Sequence, residues 1–173
     1  VTPTIRQPLF LSRVQKSMAE TRKHYPYVRS IQTRWNDNDQ YGHVNNVIYY
    51  SYIDTAVNLY LIEEGGMNPQ TSPVIGICPE SHCTFIKAIA YPESVEAGVR
   101  VVHLGRSSVR YEIGIFSKAE EDISASAYFV HVFVDREKRR PTNIPAGIRK
   151  ALQKIYVEST AHSKKLSEHG PRY

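Results

Sequence analysis

The sequence predicts a single α+β domain in which one covered helix lies against an antiparallel sheet. The first observation is a long, largely apolar segment with helical spacing, from Asn45 to about Glu64. The second is that one short strand pattern precedes this helix and four longer ones follow it. Such elements pack as a helix against one face of a sheet, because each must bury its apolar side. A chain of 173 residues is long enough for one hydrophobic core.

A polar segment and one strand precede the helix. Residues 1–26 are polar, with a short helix predicted from about Leu9 to Lys23. Pro26 ends that helix, because a proline disfavours helical backbone in the residue before it. The β-branched and aromatic residues between Tyr27 and Trp35 then predict a strand, which leads directly into the polar loop Asn36–His43.

The helical segment has a narrow polar side. Asn45 or Asn46 can cap its start, and Gly65-Gly66 supplies a left-handed stop after its end. A polar stripe this thin predicts a helix that is covered on most sides. The stripe consists of Ser51, Asp54, Thr55 and Asn58.

Four long strand patterns follow the helix. In the third of them every second residue from Val109 to Ile115 is apolar, which is the period of a half-buried antiparallel strand. A final segment from Pro145 to Tyr156 has amphipathic helical spacing. The four strands are predicted at about Val74–Ala90, Ser94–Leu104, Ser107–Ser117 and Ile123–Asp135.

These elements divide the chain into three parts. Residues 1–26 are predicted to be an N-terminal extension, 27–156 the folded domain with its C-terminal helix, and 157–173 a tail. Hydrophobic residues make up 41% of the chain and charged residues 23%, which is ordinary for a globular protein. Extensive disorder is therefore not expected.

Hydropathy and charge exclude several classes of protein. No window holds the roughly 18 consecutive apolar residues of a membrane span, and the first 25 residues contain no apolar stretch long enough for secretion, so a cytoplasmic protein is expected. The net charge of +5 favours polyanionic ligands. No nucleic-acid-reading element accompanies this charge, so nucleic acid is not an expected partner. Much of the excess lies in a predicted turn and the tail, at Arg136, Lys138, Arg139, Arg140, Lys164 and Lys165.

The two cysteines predict neither a disulfide nor a metal site. Cys78 and Cys83 stand five residues apart in one predicted strand, and this odd spacing turns their side chains to opposite faces. We therefore expect two reduced thiols, buried or half-buried. His82 lies beside Cys83, but the chain has no Cys-x-x-Cys pair and no compact set of four ligands, so no metal is expected.

The densest group of chemically active residues lies where the polar loop meets the helix. The run from Arg34 to Asn46 carries two carboxylates, Asp37 and Asp39, shortly before the helix start. A helix N-terminus offers unpaired N–H groups and the positive end of a dipole, which can hold an oxyanion. Thioester hydrolysis needs such donors together with a group that attacks the carbonyl or activates water.

This run resembles the motif of the hotdog-fold acyl-CoA thioesterases of the 4-hydroxybenzoyl-CoA thioesterase-like family. The family pattern is Asp-x-Asp-x-x-Gly-(His)-Val-Asn-Asn-x-x-Tyr at the entrance to the central helix. The run Leu104–Val109 also resembles the family's Gly-x-Ser-Ser turn. The similarity covers roughly Tyr27 to Asp135 and implies a hotdog fold, a curved antiparallel sheet wrapped around a central helix. The matching residues are Asp37, Asp39, Gly42, His43, Val44, Asn45, Asn46 and Tyr49.

The resemblance implies two catalytic positions. Asp39, the second acid of the motif, matches the catalytic carboxylate. Asn46 matches the residue whose backbone N–H polarises the thioester carbonyl. The branch of thioesterases that uses a glutamate within the helix fits less well, because no residue inside this helix is placed as a catalytic Glu.

The neighbouring residues are expected to support these two. Gly42 permits a positive φ or a close approach of the ligand. His43 orders the loop, with direct proton transfer as the alternative. Asn45 caps the helix, and Asp37 caps the turn or pairs with Arg34.

Other positions resemble substrate contacts of the family. Ser107 and Ser108 match positions near the pantetheine arm or in the turn that supports it. Arg106 is a candidate for binding the phosphates of the coenzyme, because a fixed positive group pairs well with phosphate oxygen. Tyr49 lines an acyl tunnel or belongs to the core. The other cationic candidates are Arg110 and Lys87.

The sequence therefore predicts an acyl-CoA thioesterase that releases a free acid and coenzyme A without a metal or redox cofactor. Asp39 acts as nucleophile or as general base, and the residues do not decide between the two. A homodimer or homotetramer is expected, because hotdog domains place two protomers side by side with the sites at their interface. Two other classes stay open. One is a dehydratase or hydratase, against which the motif from Asp39 to Asn46 argues, and the other is a non-catalytic acyl-CoA-binding or regulatory module.

Overall fold

The computed structural model describes residues 20–158, which form five strands and two α-helices. Every strand runs antiparallel to its neighbours, in the spatial order β1-β3-β4-β5-β2. This is the sheet with a central helix that the hotdog resemblance implied. The elements in chain order are β1 Tyr27–Gln32, α1 Asn46–Glu63, β2 Val74–Phe85, β3 Ser94–Leu104, β4 Ser108–Ser117, β5 Ile123–Asp135 and α2 Ala146–Lys154.

One face of the sheet forms the core against α1. On β4 the predicted alternation is confirmed, because every second residue from Val109 to Ile115 is fully buried. The register carries the same face across the sheet, where Val99 pairs with Ile113 and Ile113 pairs with Ala127. The buried side of α1 that meets this face consists of Tyr49, Tyr52, Ile53, Ala56, Val57, Tyr60 and Leu61.

The segment before β1 covers the opposite face of the sheet. Tyr25 is 4% exposed and packs edge-on against Phe116 of β4. Two glycines make room for its ring, since a Cβ at Gly98 would lie 2.6 Å from Cγ of Tyr25 and one at Gly114 would lie 2.7 Å from Cζ. The helix predicted from Leu9 to Lys23 lies mostly outside the described residues, which contain only a 3-10 turn at its end.

Two predicted strands are longer than the observed ones. The strand expected to reach Trp35 ends at Gln32, because the chain then enters a 3-10 turn at Trp35–Asp37. The strand expected to reach Ala90 ends at Phe85. The N–H groups of the next two residues both bond the carbonyl oxygen of Ser124, which turns the chain away from the sheet.

The central helix is more exposed than its sequence predicts. Val47 is 67% exposed and Tyr50 is 38% exposed, although only the polar stripe was expected to face solvent. The prediction of a helix covered on most sides is therefore wrong for the part of the chain that the structure describes. The sheet covers one side of α1 and the described residues leave the other open.

The cysteines and the second helix complete the fold. Both thiols are free, and Cys83 is buried as predicted. Cys78 is exposed, contrary to expectation, because it lies where the register of β2 shifts between Ile77 and Glu80. The apolar side of α2 is buried, as its spacing predicts. Neither helix in this part of the chain combines the length and hydropathy required to cross a membrane.

Candidate active site

The loop between β1 and α1 folds back on itself as a tight hairpin. Asn38 and Val44 form an isolated antiparallel bridge, and the N–H of Asp39 donates to the carbonyl oxygen of His43 at 2.9 Å. Gly42 lies near the tip with φ of +81°, in the left-handed region that favours glycine. The positive φ predicted for Gly42 is confirmed. His43 contributes its backbone to the hairpin while its side chain stays exposed.

Asp37 is the buried acid of the loop. It is 1% exposed and accepts a hydrogen bond of 2.6 Å from the hydroxyl of Tyr52. Arg34 donates to the same carboxylate from its backbone N–H at 2.8 Å and from Nε at 3.0 Å. Burial by itself would raise the pKa of Asp37, but the hydrogen bonds from Tyr52 and Arg34 outweigh it and lower the pKa below the ordinary value. Asp37 is therefore held as a carboxylate, and its predicted pairing with Arg34 is confirmed.

Asp39 is the accessible acid. Its Oδ1 accepts the backbone N–H of Tyr41 at 2.8 Å, which fixes the orientation of the carboxylate. Within residues 20–158 no side chain or backbone group bonds its Oδ2. The two acids of the motif are thus distinguished by their surroundings, because one is fully paired inside the fold and the other keeps a free oxygen at the surface.

The start of α1 faces the same space. Asn45 is the N-cap, and its side-chain oxygen accepts the N–H of Val47 at 3.1 Å, as predicted. Asn46 is the first residue of the helix, where an N–H has no partner within the helix. Among the described residues none accepts the N–H of Asn46. The helix therefore presents an unused donor at its positive end.

Asp39, Asn46 and Tyr49 line one open cavity of ≈ 480 Å³. Tyr49 is 3% exposed and meets the ring of Phe85 edge to face at 5.1 Å. Burial raises the pKa of Tyr49 to about 12, so its hydroxyl keeps its proton. The cavity is lined by Asp39, Tyr41, His43, Val44, Asn45, Asn46, Tyr49, Phe85, Ile86, Lys87 and Ala88.

Lys87 is the cation of the cavity wall, and it is already paired. Its Nζ lies 2.8 Å from a carboxylate oxygen of Asp122 and 3.1 Å from one of Glu120. These hydrogen bonds raise its pKa above the ordinary value. Lys87 therefore offers less charge to a phosphate than its sequence position implies.

Three predicted substrate contacts lie elsewhere in the protomer. Ser108 pairs with Val132 on β5, whereas Phe85 of the cavity lies level with Ile115, seven residues further along β4. At about 3.4 Å per residue this separates Ser108 from the cavity by roughly 20 Å. Arg106 and Ser107 belong to the same turn and lie at the same end of the sheet as Ser108. The structure does not bring them together with Asp39 in one chain.

Two residues shape the site in ways that the sequence did not predict, although Tyr52 was considered for an acyl tunnel or the core. Phe85 forms part of the cavity wall, and Tyr52 anchors the buried acid. The spacing of Tyr49, Tyr52 and Ile53 on one helix face indicates burial. No sequence signal reveals that the hydroxyl of Tyr52 points at a loop carboxylate.

A metal site in the loop would need Asp37, Asp39 and His43 to converge. The carboxylate of Asp37 is already hydrogen-bonded to Arg34 and Tyr52. Across residues 20–158 there is no group of three or more His, Cys, Asp or Glu side chains with the geometry of a metal site.

Comparison with known proteins supports the same interpretation of the fold. Residues 33–152 match the family model described as the Thioesterase-like superfamily. The structure of the PA5185 protein from Pseudomonas aeruginosa strain PAO1 is similar at 46% sequence identity and a TM-score of 0.79, covering 81% of this chain and 98% of that one. The PA2801 protein from Pseudomonas aeruginosa is 26% identical with a TM-score of 0.70, covering 74% of this chain and 98% of that one.

A third solved structure includes the coenzyme. It is a thioesterase from Thermus thermophilus complexed with coenzyme A and Zn, 26% identical with a TM-score of 0.64, covering 77% of this chain and 96% of that one. No curated protein sequence matches the chain.

The family match and the similarity to a solved thioesterase define the class of protein, which is a thioester hydrolase. The match over residues 33–152 identifies the family. The chain belongs to the Thioesterase-like superfamily.

Proposed function

We propose that this protein is an acyl-CoA thioesterase in which Asp39 carries the chemistry and the backbone N–H of Asn46 stabilises the oxyanion. One observation carries the proposal. A carboxylate with a free oxygen and an unpaired N–H at the positive end of a helix line the same cavity. Negative charge develops on the carbonyl oxygen during acyl transfer, and an oriented N–H is the donor that this charge needs.

Two routes are consistent with this arrangement. As a nucleophile, Oδ2 of Asp39 attacks the thioester carbon, the C–S bond breaks, and coenzyme A leaves as a thiolate that takes up a proton. Water then hydrolyses the resulting anhydride. As a general base, Asp39 instead takes a proton from a water molecule, whose oxygen attacks the carbonyl; the C–S bond then breaks, and the thiolate of coenzyme A takes up a proton. Both routes end with a free acid and coenzyme A.

Coenzyme A is the proposed carrier of the acyl group. The Thermus thioesterase, which is 26% identical to this chain, is complexed with coenzyme A. The cavity is open on one side and walled by Tyr49 and Phe85 on another, which suits a ligand that places its thioester inside and its nucleotide outside. No resident metal or redox cofactor is required by either route.

We also propose that a second copy of the chain completes the site. β2 is an edge strand with exposed Ile77, and α1 exposes Val47 in its first turn. Pairing β2 with its own copy about a two-fold axis joins the two sheets and covers Ile77. The axis reverses the partner's sheet, so the partner's Ser108 turn moves toward Asp39. A homodimer, or two such dimers, would thus bring the predicted substrate contacts of this turn and Asp39 into one site.

A panel of CoA thioesters tests the proposal. Short, long, branched and aromatic acyl groups are offered to the purified protein, and release of free thiol is followed over time. Asp39→Asn is assayed in parallel to subtract hydrolysis that does not use the site. Turnover of at least one thioester that depends on Asp39 supports the enzyme. Saturable binding of acyl-CoA with no turnover of any member would identify a non-catalytic module instead.

A further inference from the structure

We propose that Tyr52 is a positioning residue for this site, holding Asp37 so that the loop keeps its place against the first turn of α1. The inference rests on the proposed function, because it concerns how the catalytic carboxylate is oriented. It assigns a role in catalysis to a side chain that touches neither the cavity nor the substrate. Tyr52 lies on the sheet side of the helix, in its second turn.

The contact is short and fully enclosed. The hydroxyl of Tyr52 donates to Oδ2 of Asp37 at 2.6 Å. Tyr52 is 3% exposed and Asp37 is 1% exposed, so water does not compete for either group. A buried carboxylate is tolerated only when its oxygens are hydrogen-bonded. Tyr52 is the donor that reaches Asp37 from the core.

Asp37 joins three parts of the site. Through Oδ1 and Oδ2 it binds Arg34, at the exit from β1, and Tyr52, within α1. Through its carbonyl oxygen it accepts the N–H of Asn45, the helix cap, at 2.8 Å. Strand exit, helix interior and helix start therefore meet at one residue.

Both proposed catalytic groups are covalently close to this junction. Asp39 follows Asp37 by two residues, and Asn46 follows Asn45 by one. A displacement of Asp37 is transmitted to the carboxylate and to the N–H donor together. Because a shift of about 1 Å in a reacting group can lower the rate of catalysis by about 100-fold, a small relaxation here is sufficient to be measured.

Arg34, the other side chain that binds Asp37, cannot replace the contact from Tyr52. Arg34 is 69% exposed at its side chain and approaches Asp37 from the surface. Without the Tyr52 hydroxyl, the carboxylate is held only by the segment to which it already belongs, and its link to the helix interior is lost. Of the hydrogen bonds that join Asp37 to the helix within the described residues, the backbone bond to Asn45 would then remain.

The chain offers a matched control for the test. Tyr60 lies eight residues further along the same helix, is 2% exposed, and donates its hydroxyl to the carbonyl oxygen of Ala151 at 2.6 Å. Tyr52→Phe and Tyr60→Phe therefore remove hydrogen bonds of equal length from equally buried phenols. Only the first removes a bond to the site loop. A merely structural role predicts the same kinetic behaviour for both.

The experiment compares kcat, KM and Tm of these two variants on the best thioester. We expect Tyr52→Phe to lower kcat by about tenfold or more with KM within about twofold of wild type, because the acid is displaced while the cavity is kept. Tyr60→Phe should lower Tm by no more than Tyr52→Phe does, because its acceptor is a neutral carbonyl, and should leave kcat within about twofold. Equal kcat values for the two variants would overturn the inference.

Two further variants keep the test decisive. Asp37→Asn removes the charge from the other side of the pair, and the double variant with Tyr52→Phe should be no slower than the slower single variant if the two act as a unit. If the losses of kcat in the two single variants add in the double variant, Tyr52 and Asp37 do not act as a unit. Wild-type kcat in a folded Asp37→Asn variant would contradict the inference as well, even if Tyr52→Phe does not fold. Asp39→Asn is measured alongside. If Asp39→Asn retains turnover, the proposed catalytic assignment fails. If Asp39→Asn loses turnover while Tyr52→Phe keeps the wild-type kcat, only the positioning role is rejected.

Discussion

The backbone N–H of Asn45 donates a hydrogen bond of 2.8 Å to the carbonyl oxygen of Asp37. This bond connects the buried acid of the motif to the helix cap and closes the loop that carries Asp39. The side chain of Asn45 in turn accepts from Val47, so the first turn of α1 and the loop are ordered together. Hydrogen bonds within the protein therefore order the site before any substrate binds.

Replacing Asp39 by Asn should lower kcat by about 100-fold or more while the protein remains folded. The change removes the charge of the nucleophile or base but preserves the shape of the side chain. The rate at which free thiol is released measures kcat, and circular dichroism and Tm measure folding. Glu121→Gln, which neutralises an exposed carboxylate on the β4–β5 turn, serves as the control and should keep wild-type turnover. Near wild-type kcat in Asp39→Asn would show that another residue carries the chemistry.

Hydrolysis should survive prolonged treatment with EDTA. The proposed reaction uses a carboxylate for attack and a helix N–H for the oxyanion, so neither step calls on a metal ion. The rate before and after chelation is compared, followed by additions of Zn²⁺, Mg²⁺ and Mn²⁺. If activity disappeared with EDTA and returned with one of these ions, the loop would have to be recast as a metal site.

The protein should sediment as a dimer or larger species at low micromolar concentration, and a charge on the β2 edge should weaken that association. Ile77→Lys introduces such a charge at a side chain that is 41% exposed. Val28→Lys is the matched control, because Val28 is 40% exposed on β1, the opposite edge strand. Sedimentation velocity should show dissociation for Ile77→Lys only. A stable wild-type monomer, or equal behaviour of the two variants, would contradict pairing through β2.

Stability should fall as the pH drops from about 6.5 to 4, in part because of His131. Burial among the rings of Tyr111, Phe129 and Phe133 lowers the pKa of His131 to about 4, below its ordinary value of about 6.5. In this window the unfolded chain binds a proton that the folded chain excludes, so the free energy of unfolding decreases with decreasing pH.

His131→Phe isolates this contribution. The free energy of unfolding of wild type minus that of the variant should change by about 1.4 kcal/mol per pH unit between those two pH values and stay constant above them. Urea unfolding at several pH values measures both proteins. A difference that does not vary with pH would mean that folding leaves the pKa of His131 unchanged.

Local patterns in the sequence predicted much of the fold. The bounds of β3 and β5 agree with the prediction, because their alternating apolar residues are interrupted by turn residues at both ends. The helix start at the Asn45 cap and the left-handed Gly42 are likewise decided by neighbours in the chain. The strand end at Phe85 was missed, since it depends on the carbonyl of Ser124, a residue distant in sequence.

The motif located the candidate site from sequence alone and gave its two acids different roles, but it could not show that Asp37 is buried against the helix while Asp39 is accessible. Both stand in the same polar loop, two residues apart. The tertiary fold brings Tyr52 to Asp37 and leaves Oδ2 of Asp39 open, and this is what separates an anchor from a candidate catalyst.

The same division applies to the turn at Arg106. Its sequence resembles a substrate-binding turn, yet the sheet register puts it at the end of the protomer opposite the cavity. Spacing along a chain fixes which residues share a strand face or a helix cap, because these geometries repeat every two to four residues. It carries no information on distances across a sheet, which depend on strand order and register, and only the folded structure decides those.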